Sequence, residues 1–419
     1  MRVASVSKKD AVLKLTIEES GDRCRVLAEY DSAEREIEVA MLPESFRQNL
    51  GALQEAILQC PGARSPQVAT RSKEPKEPKE KVIEAPPPDD GRLVLRDAGG
   101  VLAAGSDERI VQEIGSQLFD FVFQRQVLEL YEKCFDATRN RQPLLIRLRV
   151  NHPGLSYLPW EALYDKKRRF YLTTSQNTPF FRAIEDDQEP TWLSSSRPIR
   201  ILGMAARVKV LNGIALDQIE VDAEQVAIKN ALGDVNDGAR AKLSWIPSAK
   251  ARDLNRRFLR GDEGNRWDIF HFIGHGGHDA GKGMGFIVVQ EESGSRGARL
   301  YADDLKGFLT QPGQTPSLVV LNSCSGAQGE PGSLFSSTAA ELIQGGVAAV
   351  IAMQFEISDN MGIAFAETFY TYLVERISIQ AALAHTRAEL KARQFGEWIS
   401  PVLYMRGLNG KIFVDGGAT

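Results

Sequence analysis

The sequence predicts an α/β protein: a mostly parallel sheet with helices on both faces, preceded by a small α+β unit and a disordered linker. Two observations carry this. From about residue 143 onward, short apolar β-branched runs alternate with helical stretches, the pattern of strands joined by crossover helices. Two of the runs, in DIFHFIGHGGHD (268–279) and SLVVLNSCSGAQG (317–329), stop abruptly at a reactive residue among small ones. Buried parallel strands read this way, and ligands in open α/β sheets sit at their carboxyl ends.

Residues 1–60 read as the small α+β unit. AVLKLTIEES and DRCRVLAEY alternate as strands do, with Ser20, Gly21 and Asp22 at the turn, and REIEVAML is a third strand. ESFRQNLGALQEAILQC follows as a helix on Phe46, Leu50, Leu53 and Ile57. Sixty residues make a marginal core, so the unit is expected to pack on the rest of the chain or on a partner. Residues 61–92 hold repeated KEP units and a triple proline with few apolar residues. Such a segment buries too little surface to fold and reads as a solvated tether.

Residues 93–419 read as one α/β domain. A hairpin-like start, RLVLRDAGGVL, leads to a long helix capped by Ser106 or Asp107 and running to about Arg139. Strands are expected at PLLIRLRV, PIRILGMAARV, KLSWIP, DIFHFIGHG, GFIVVQ, SLVVLNSC and AAVIAMQF. Helices are expected over 217–232, 250–259, 302–310, 336–344, 359–375 and 377–394, with one or two strands in PVLYMRGLNGKIFV.

The bulk composition excludes several classes. Hydrophobic residues make up 43% of the 419 and charged residues 25%, as in a soluble globular protein. A net charge of −4 gives no electrostatic reason to expect nucleic acid. Cys24, Cys60, Cys134 and Cys324 lack CxxC spacing, against a zinc ribbon or disulfide framework. The N-terminal twenty residues lack a signal-like apolar segment, and no apolar run has the length of a membrane span. A cytoplasmic protein is expected.

His275 and Cys324 form a candidate base and nucleophile. A nearby imidazole stabilises a thiolate or takes its proton during attack. Gly274, Gly276 and Gly277 would let the strand end turn sharply and let a substrate backbone approach. The backbone N–H groups of Gly276 and Cys324 are the candidate oxyanion donors. His271, His275 and His278 complete no familiar metal spacing, so no metal and no cofactor are expected. His271 reads as a core residue, and His278 and Asp279 as rim residues. No GxxxxGK[ST] or GxGxxG bridges a strand and a helix, which argues against nucleotide binding.

An apolar strand ending in His-Gly, followed by one ending in Ser-Cys, resembles the signature of the caspase-like cysteine peptidases: caspases, separase, gingipain, legumain and metacaspases. LPWEALYD (158–165), HFIGHGG (271–277), VVLNSCSGA (319–327) and GGVAAVIAMQFEISDNMGIAFAETFY (345–370), with SPVLYMRG (400–407), resemble the CHAT domain in particular. The resemblance covers about residues 93–419 and implies a caspase-like fold, with His275 and Cys324 as the catalytic dyad. LPWEALYD reads as a structural plug with Leu158 and Trp160 buried and Tyr164 partly so. In separase-like relatives, acidic residues near MQFEISD line the pocket for the side chain preceding the cut. That implies Glu356 and Asp359, with Asp279 as a weaker candidate, as substrate-binding residues that select Arg or Lys. Asp359 reads equally as the cap of a helix starting at Asn360.

The implied function is a regulated cysteine endopeptidase that cleaves a specific partner protein encoded nearby, in bacterial defence or a cell-death-like response. A sensor or inhibitor protein would bind the N-terminal unit, and the basic linker is a candidate self-cleavage site. The alternative is a catalytically dormant caspase-fold scaffold or protein-binding module.

Overall fold

A computed structural model describes residues 11–58, 101–184, 193–194, 198–233, 240–262, 266–294, 296–324, 333–406 and 413–414. The chain opens with strands β1 (Ala11–Ser20), β2 (Arg23–Tyr30) and β3 (Ala33–Ala40), then helix α1 (Glu44–Leu58). Helices α2 (Val101–Val122) and α3 (Arg125–Thr138) precede β4 (Leu144–Asn151). A short turn α4 (Pro153–Ser156), the small strands β5 (Tyr164–Asp165) and β6 (Phe170–Tyr171), and β7 (Phe180–Ala183) follow. Next come β8 (Leu193–Ser194), β9 (Ile199–Ala205), β10 (Val210–Leu211), β11 (Ile214–Ala215), α5 (Val221–Ala231), β12 (Ala241–Trp245) and α6 (Ala251–Arg260). The final part contains β13 (Ile269–Asp279), β14 (Met284–Gln290), β15 (Gly297–Tyr301), α7 (Ala302–Leu309), β16 (Leu318–Cys324) and α8 (Ser333–Gln344). It ends with β17 (Ala349–Met353), α9 (Asp359–Val374), α10 (Ile379–Ala392), β18 (Pro401–Met405) and β19 (Phe413–Val414).

Most strands join one sheet in the order β11-β10-β15-β14-β13-β16-β17-β18-β7-β4-β1-β2-β3, with β9 and β12 alongside the first half of β13. The sheet contains two parallel blocks. Strands β12, β9, β13, β16 and β17 run one way. Strands β18, β7, β4 and β1 run the other. The blocks meet where β17 and β18 pair antiparallel. The N-terminal strands are built into the same sheet, because β1 lies parallel to β4 from Ala11↔Leu144 to Glu18↔Asn151. One apolar core packs α1, α2, α3, α5, α9 and α10 on one face, and a second packs α6, α7 and α8 on the other. Residues in the expected linker lie outside those described, as does most of the hairpin-like start at 92–102.

Several expected elements differ in the structure. The helix foreseen from Ser106 to Arg139 is already running at Val101 and is broken between Val122 and Arg125. Gln124 is extended and Arg125 adopts φ +46°. The break lets Phe123 turn inward, its ring 4.5 Å from Phe119 and 4.6 Å from Tyr131. No Gly or Pro marks it, so the sequence gives no sign of it. The helix foreseen from Asp217 begins instead at Val221, which leaves 217–220 as a strap. Strand β13 does not end at His275 but runs on to Asp279, paired with β14. Its glycines therefore permit close packing rather than a turn. A Cβ at Gly277 would lie 2.4 Å from the Phe286 ring, and one at Gly274 would lie 2.6 Å from Phe272.

LPWEALYD is the expected plug, with Trp160 and Leu158 buried, but its Glu161 is a structural centre. Fully buried Glu161 pairs with Arg182 of β7. Arg182 Nε donates to Glu161 Oε1 (3.0 Å), and its Nη groups donate to the carbonyl oxygens of Ser156 (2.8 Å) and Leu158 (2.9 Å). Gln354 closes the cluster, donating to Glu161 Oε2 (2.9 Å) and the Ile399 carbonyl (2.8 Å). Helix α2 meets this plug at Gly115, where a Cβ would stand 1.8 Å from the Ala162 carbonyl oxygen.

Gly115→Ala is expected to cost about 1–3 kcal/mol, because the contact is with backbone that cannot yield. Gly51→Ala in α1, where an added Cβ meets nothing within 4 Å, is expected to gain roughly 0.5–1 kcal/mol. Urea unfolding of both variants checks the pair. Arg182→Met alone would strand the Glu161 carboxylate and is expected to cost about 3–5 kcal/mol. The double variant Glu161→Leu/Arg182→Met should recover much of that loss in the same measurement.

Candidate active site

Strands β13 and β16 are adjacent, parallel and in register, so that His275 pairs with Cys324, Gly274 with Ser323 and Ile273 with Asn322. Both strands are apolar and β-branched through the buried sheet, which fixes their register through packing on both faces. The two candidate chemical residues are thus set side by side by backbone pairing.

His275 is buried at 3% exposure, and its Nε2 lies 2.9 Å from the Asp217 carbonyl oxygen. A carbonyl oxygen can only accept, so Nε2 carries a proton. The neutral ring then keeps its basic lone pair on Nδ1. The same carbonyl dipole favours the imidazolium that forms once Nδ1 is protonated.

Asp217 sits on the strap between β9 and α5. Ala206 N–H donates to the Ile273 carbonyl (2.8 Å), and Leu216 N–H to the Lys209 carbonyl (2.9 Å). At the far end, Asp359 Oδ1 accepts the Glu220 N–H at 3.2 Å. Asp359 is therefore not the cap of its own helix. Ser358 caps α9 by accepting the Met361 N–H at 3.2 Å, while Asp359 ties the strap to α9. The cap expected at Asp359 thus falls one residue earlier, on the Ser358 hydroxyl.

A buried polar cluster lies two to four positions behind the pair. Side chains alternate along a strand, so His271 shares a face with His275, and the register puts Asn322 on the same face as position 324. His271 Nε2 lies 3.2 Å from Glu224 Oε1 on α5, and the Tyr370 hydroxyl of α9 lies 2.9 Å from His271 Nδ1. Asn322 Nδ2 donates to the same Glu224 oxygen (2.5 Å). Burial pushes the Tyr370 phenol well above its ordinary pKa, so it stays protonated and donates to Nδ1. His271 Nε2–H then donates to Glu224. His271 is the core residue foreseen, but Glu224 and Tyr370 were not singled out. The available signal was Asn322 and His271 themselves: a polar side chain inside an apolar strand needs partners on the helices that cover it.

Of the other foreseen residues, Glu356 is half-buried just after β17. Asp279 is committed elsewhere. Its Oδ1 accepts the Gly281 (3.1 Å) and Lys282 (3.2 Å) N–H groups, and its Oδ2 accepts from Arg299 (2.7 Å) and the Tyr301 hydroxyl (2.9 Å). The Tyr301 hydrogen bond heads the causes that hold its carboxyl pKa below the usual value. These contacts make Asp279 the closing residue of the β13–β14 hairpin. Among the described residues, no group of three or more His, Cys, Asp or Glu is placed to hold a metal, and no helix is long and apolar enough to cross a membrane.

The architecture and the side-by-side His and Cys strands define a caspase-like α/β protein. The chain belongs to the CHAT-domain family, whose model matches residues 112–397. Separase in the crystal structure of the Saccharomyces cerevisiae separase–securin complex has the same fold, with a TM-score of 0.55 at 12% identity. That match covers 96% of this chain and 30% of separase, so the chain spans under a third of that relative. The Arg-specific cysteine proteinase gingipain R (RgpB) is also similar, at a TM-score of 0.41 and 12% identity over 67% of each chain. No curated protein matches the chain.

Two other thiols are set apart from this chemistry. Burial pushes Cys134 up to about 12 and raises Cys24 as well. At pH 8 only about one Cys134 in 10⁴ would be thiolate, the reactive form. Iodoacetamide at pH 8 should leave Cys24 and Cys134 unmodified in the native protein and alkylate both in urea. Peptide mass spectrometry reads this, and native labelling of Cys134 at its urea rate would contradict the burial.

Proposed function

We propose that the protein is a regulated cysteine endopeptidase that cleaves a partner protein after Arg or Lys, using His275 and Cys324. The observation that carries this reading is the in-register pairing of the two residues, with the Asp217 carbonyl leaving Nδ1 as the basic nitrogen.

The Cys324 thiol proton passes to His275 Nδ1, and the thiolate attacks the scissile carbonyl carbon. The N–H groups of Gly276 and Cys324 receive the developing oxyanion. As the C–N bond breaks, the imidazolium protonates the leaving amine and an acyl-thioester remains. Water, deprotonated by the same nitrogen, attacks that ester and releases the new carboxylate and the thiol.

Glu356 is the acid proposed to receive the basic side chain, through a charge-assisted hydrogen bond. Asp359, one oxygen of which already serves the strap, is proposed as a second contributor. Separase is seen with the protein securin. A sensor or inhibitor protein on β1–β3 would act here through a sheet continuous with the catalytic strands. A cytoplasmic role in bacterial defence or a cell-death-like response, with a substrate encoded nearby, fits such regulation. The linker, rich in Lys and Arg, is a candidate self-cleavage site.

A peptidyl-Arg acyloxymethyl ketone tests the reading. Wild type is expected to form an adduct at Cys324, which Cys324→Ala abolishes and His275→Ala slows by about 100-fold or more. Glu356→Gln should slow the Arg reagent about tenfold and leave a Leu analogue unchanged. No adduct under any activating condition would favour the dormant scaffold. Mass spectrometry of wild type against Cys324→Ala checks self-cleavage: identical fragments from both would remove it.

A further inference from the structure

A cavity of about 840 Å³ lies between the end of α3, the segment before β7 and helix α10. Neither the sequence motifs nor the proposed chemistry uses it. Its lining contains Arg139 and Arg168, with His385 and the amides of Gln142 and Asn177, and no carboxylate. Arg168 is held in place, its guanidinium 4.5 Å from the Phe135 ring centre, 2.9 Å from Asp165 and 3.9 Å from Asp136, two acids outside the lining. Arg139 is exposed and makes no ion pair among the described residues. His385 is braced by stacking on Tyr372, the rings 4.6 Å apart. The cavity therefore offers the N–H donors of a braced Arg168 and the uncompensated charge of Arg139, with no acid in its lining, and this chemistry fits carboxylates.

Its place in the sheet gives that chemistry a purpose. Strands β7 and β4 run opposite to β16. Their N-terminal ends, where the cavity opens, lie at the edge where β16 ends at Cys324. Helices α3 and α10 pack in the same core as α5 and α9, on the face to which His275 turns. β7 is three strands from β16 and β4 is four, about 14–19 Å at strand spacing. An extended peptide covers that distance in about four to six residues.

We propose that this cavity is an exosite that takes an acidic stretch of the protein substrate about four to six residues from the scissile bond. The proposal rests on the peptidase reading for its purpose, but binding itself needs no catalysis. Its volume exceeds that of a simple anion, which favours a run of side chains over inorganic phosphate.

Fluorescein-labelled hexaglutamate, followed by anisotropy on full-length Cys324→Ser protein, provides the test. Saturable binding is expected, weakened at least tenfold by Arg139→Glu and unchanged by Arg256→Glu on α6, an exposed arginine on the other face. Hexalysine should not bind. Equal weakening by both variants, displacement by inorganic phosphate at equal concentration, or no binding at millimolar protein would overturn the proposal. Adduct formation at Cys324 with an unchanged Arg139→Glu isotherm would remove the exosite alone. Exosite binding without any Cys324 adduct would remove the peptidase reading alone.

Discussion

The candidate site depends on one constraint, the register of β13 against β16. Side chains alternate between faces, so a slip of one residue would place Ser323 opposite His275 and turn position 324 to the other face. Nothing local to either His or Cys holds that register. It is held by apolar residues on both faces, Ile269, Ile273, Leu318 and Val320 in one core and Phe270, Phe272, Val319 and Leu321 in the other. A site of two side chains thus rests on both halves of the hydrophobic core. The polar cluster behind it adds direction to that packing. Glu224 accepts from both strands at once, through His271 and Asn322. An apolar core tolerates small sliding, but a carboxylate shared by two strands is satisfied in one alignment only.

That cluster also fixes the helix that orients the base. Glu224 lies one turn into α5, and α5 follows the strap that carries the Asp217 carbonyl. The chain leading to the strap is tethered to β13 through the Ala206–Ile273 hydrogen bond, and the strap's end is tied to α9 through Asp359. The imidazole therefore takes its tautomer from a backbone carbonyl whose position is set by the adjoining α5 and by two elements distant in sequence, β13 and α9. No side chain at 217 is needed for this, so the residue type at that position carries no trace of the role.

This explains which parts were legible beforehand. Strands β13, β16 and β17 and helices α9 and α10 were readable within a few residues, because their periodicity and composition are set by burial on known faces. The pair His275 and Cys324 was readable because reactive residues ending apolar runs are conspicuous. The strap was misread as helix, since Asp217–Glu220 has helical composition and its true conformation depends on contacts with α9 and His275. The glycines of β13 were misread as a turn, because the sequence cannot show that Phe272 and Phe286 lie across their faces. Glu161 has no visible role in the sequence, and Asp279 reads there as a rim or pocket acid. What settles each is a partner far away in the chain, Arg182 for the first and Arg299 with Tyr301 for the second.

The segment MQFEISD carries several of these demands at once. Gln354 belongs to the buried Glu161–Arg182 cluster, Ser358 caps α9, and Asp359 holds the strap of the base. Glu356, the acid proposed to meet the substrate's basic side chain, lies between them. A side chain engaging Glu356 would press on a segment tied two residues away to the plug and three residues away to the strap that orients His275. Substrate recognition and orientation of the base would then share one short stretch of backbone. Occupation of the proposed pocket would stiffen the hold on the Asp217 carbonyl, and a vacant pocket would leave it more freedom. Under the proposed reading, such an arrangement would tie the readiness of the thiolate to the presence of the correct side chain.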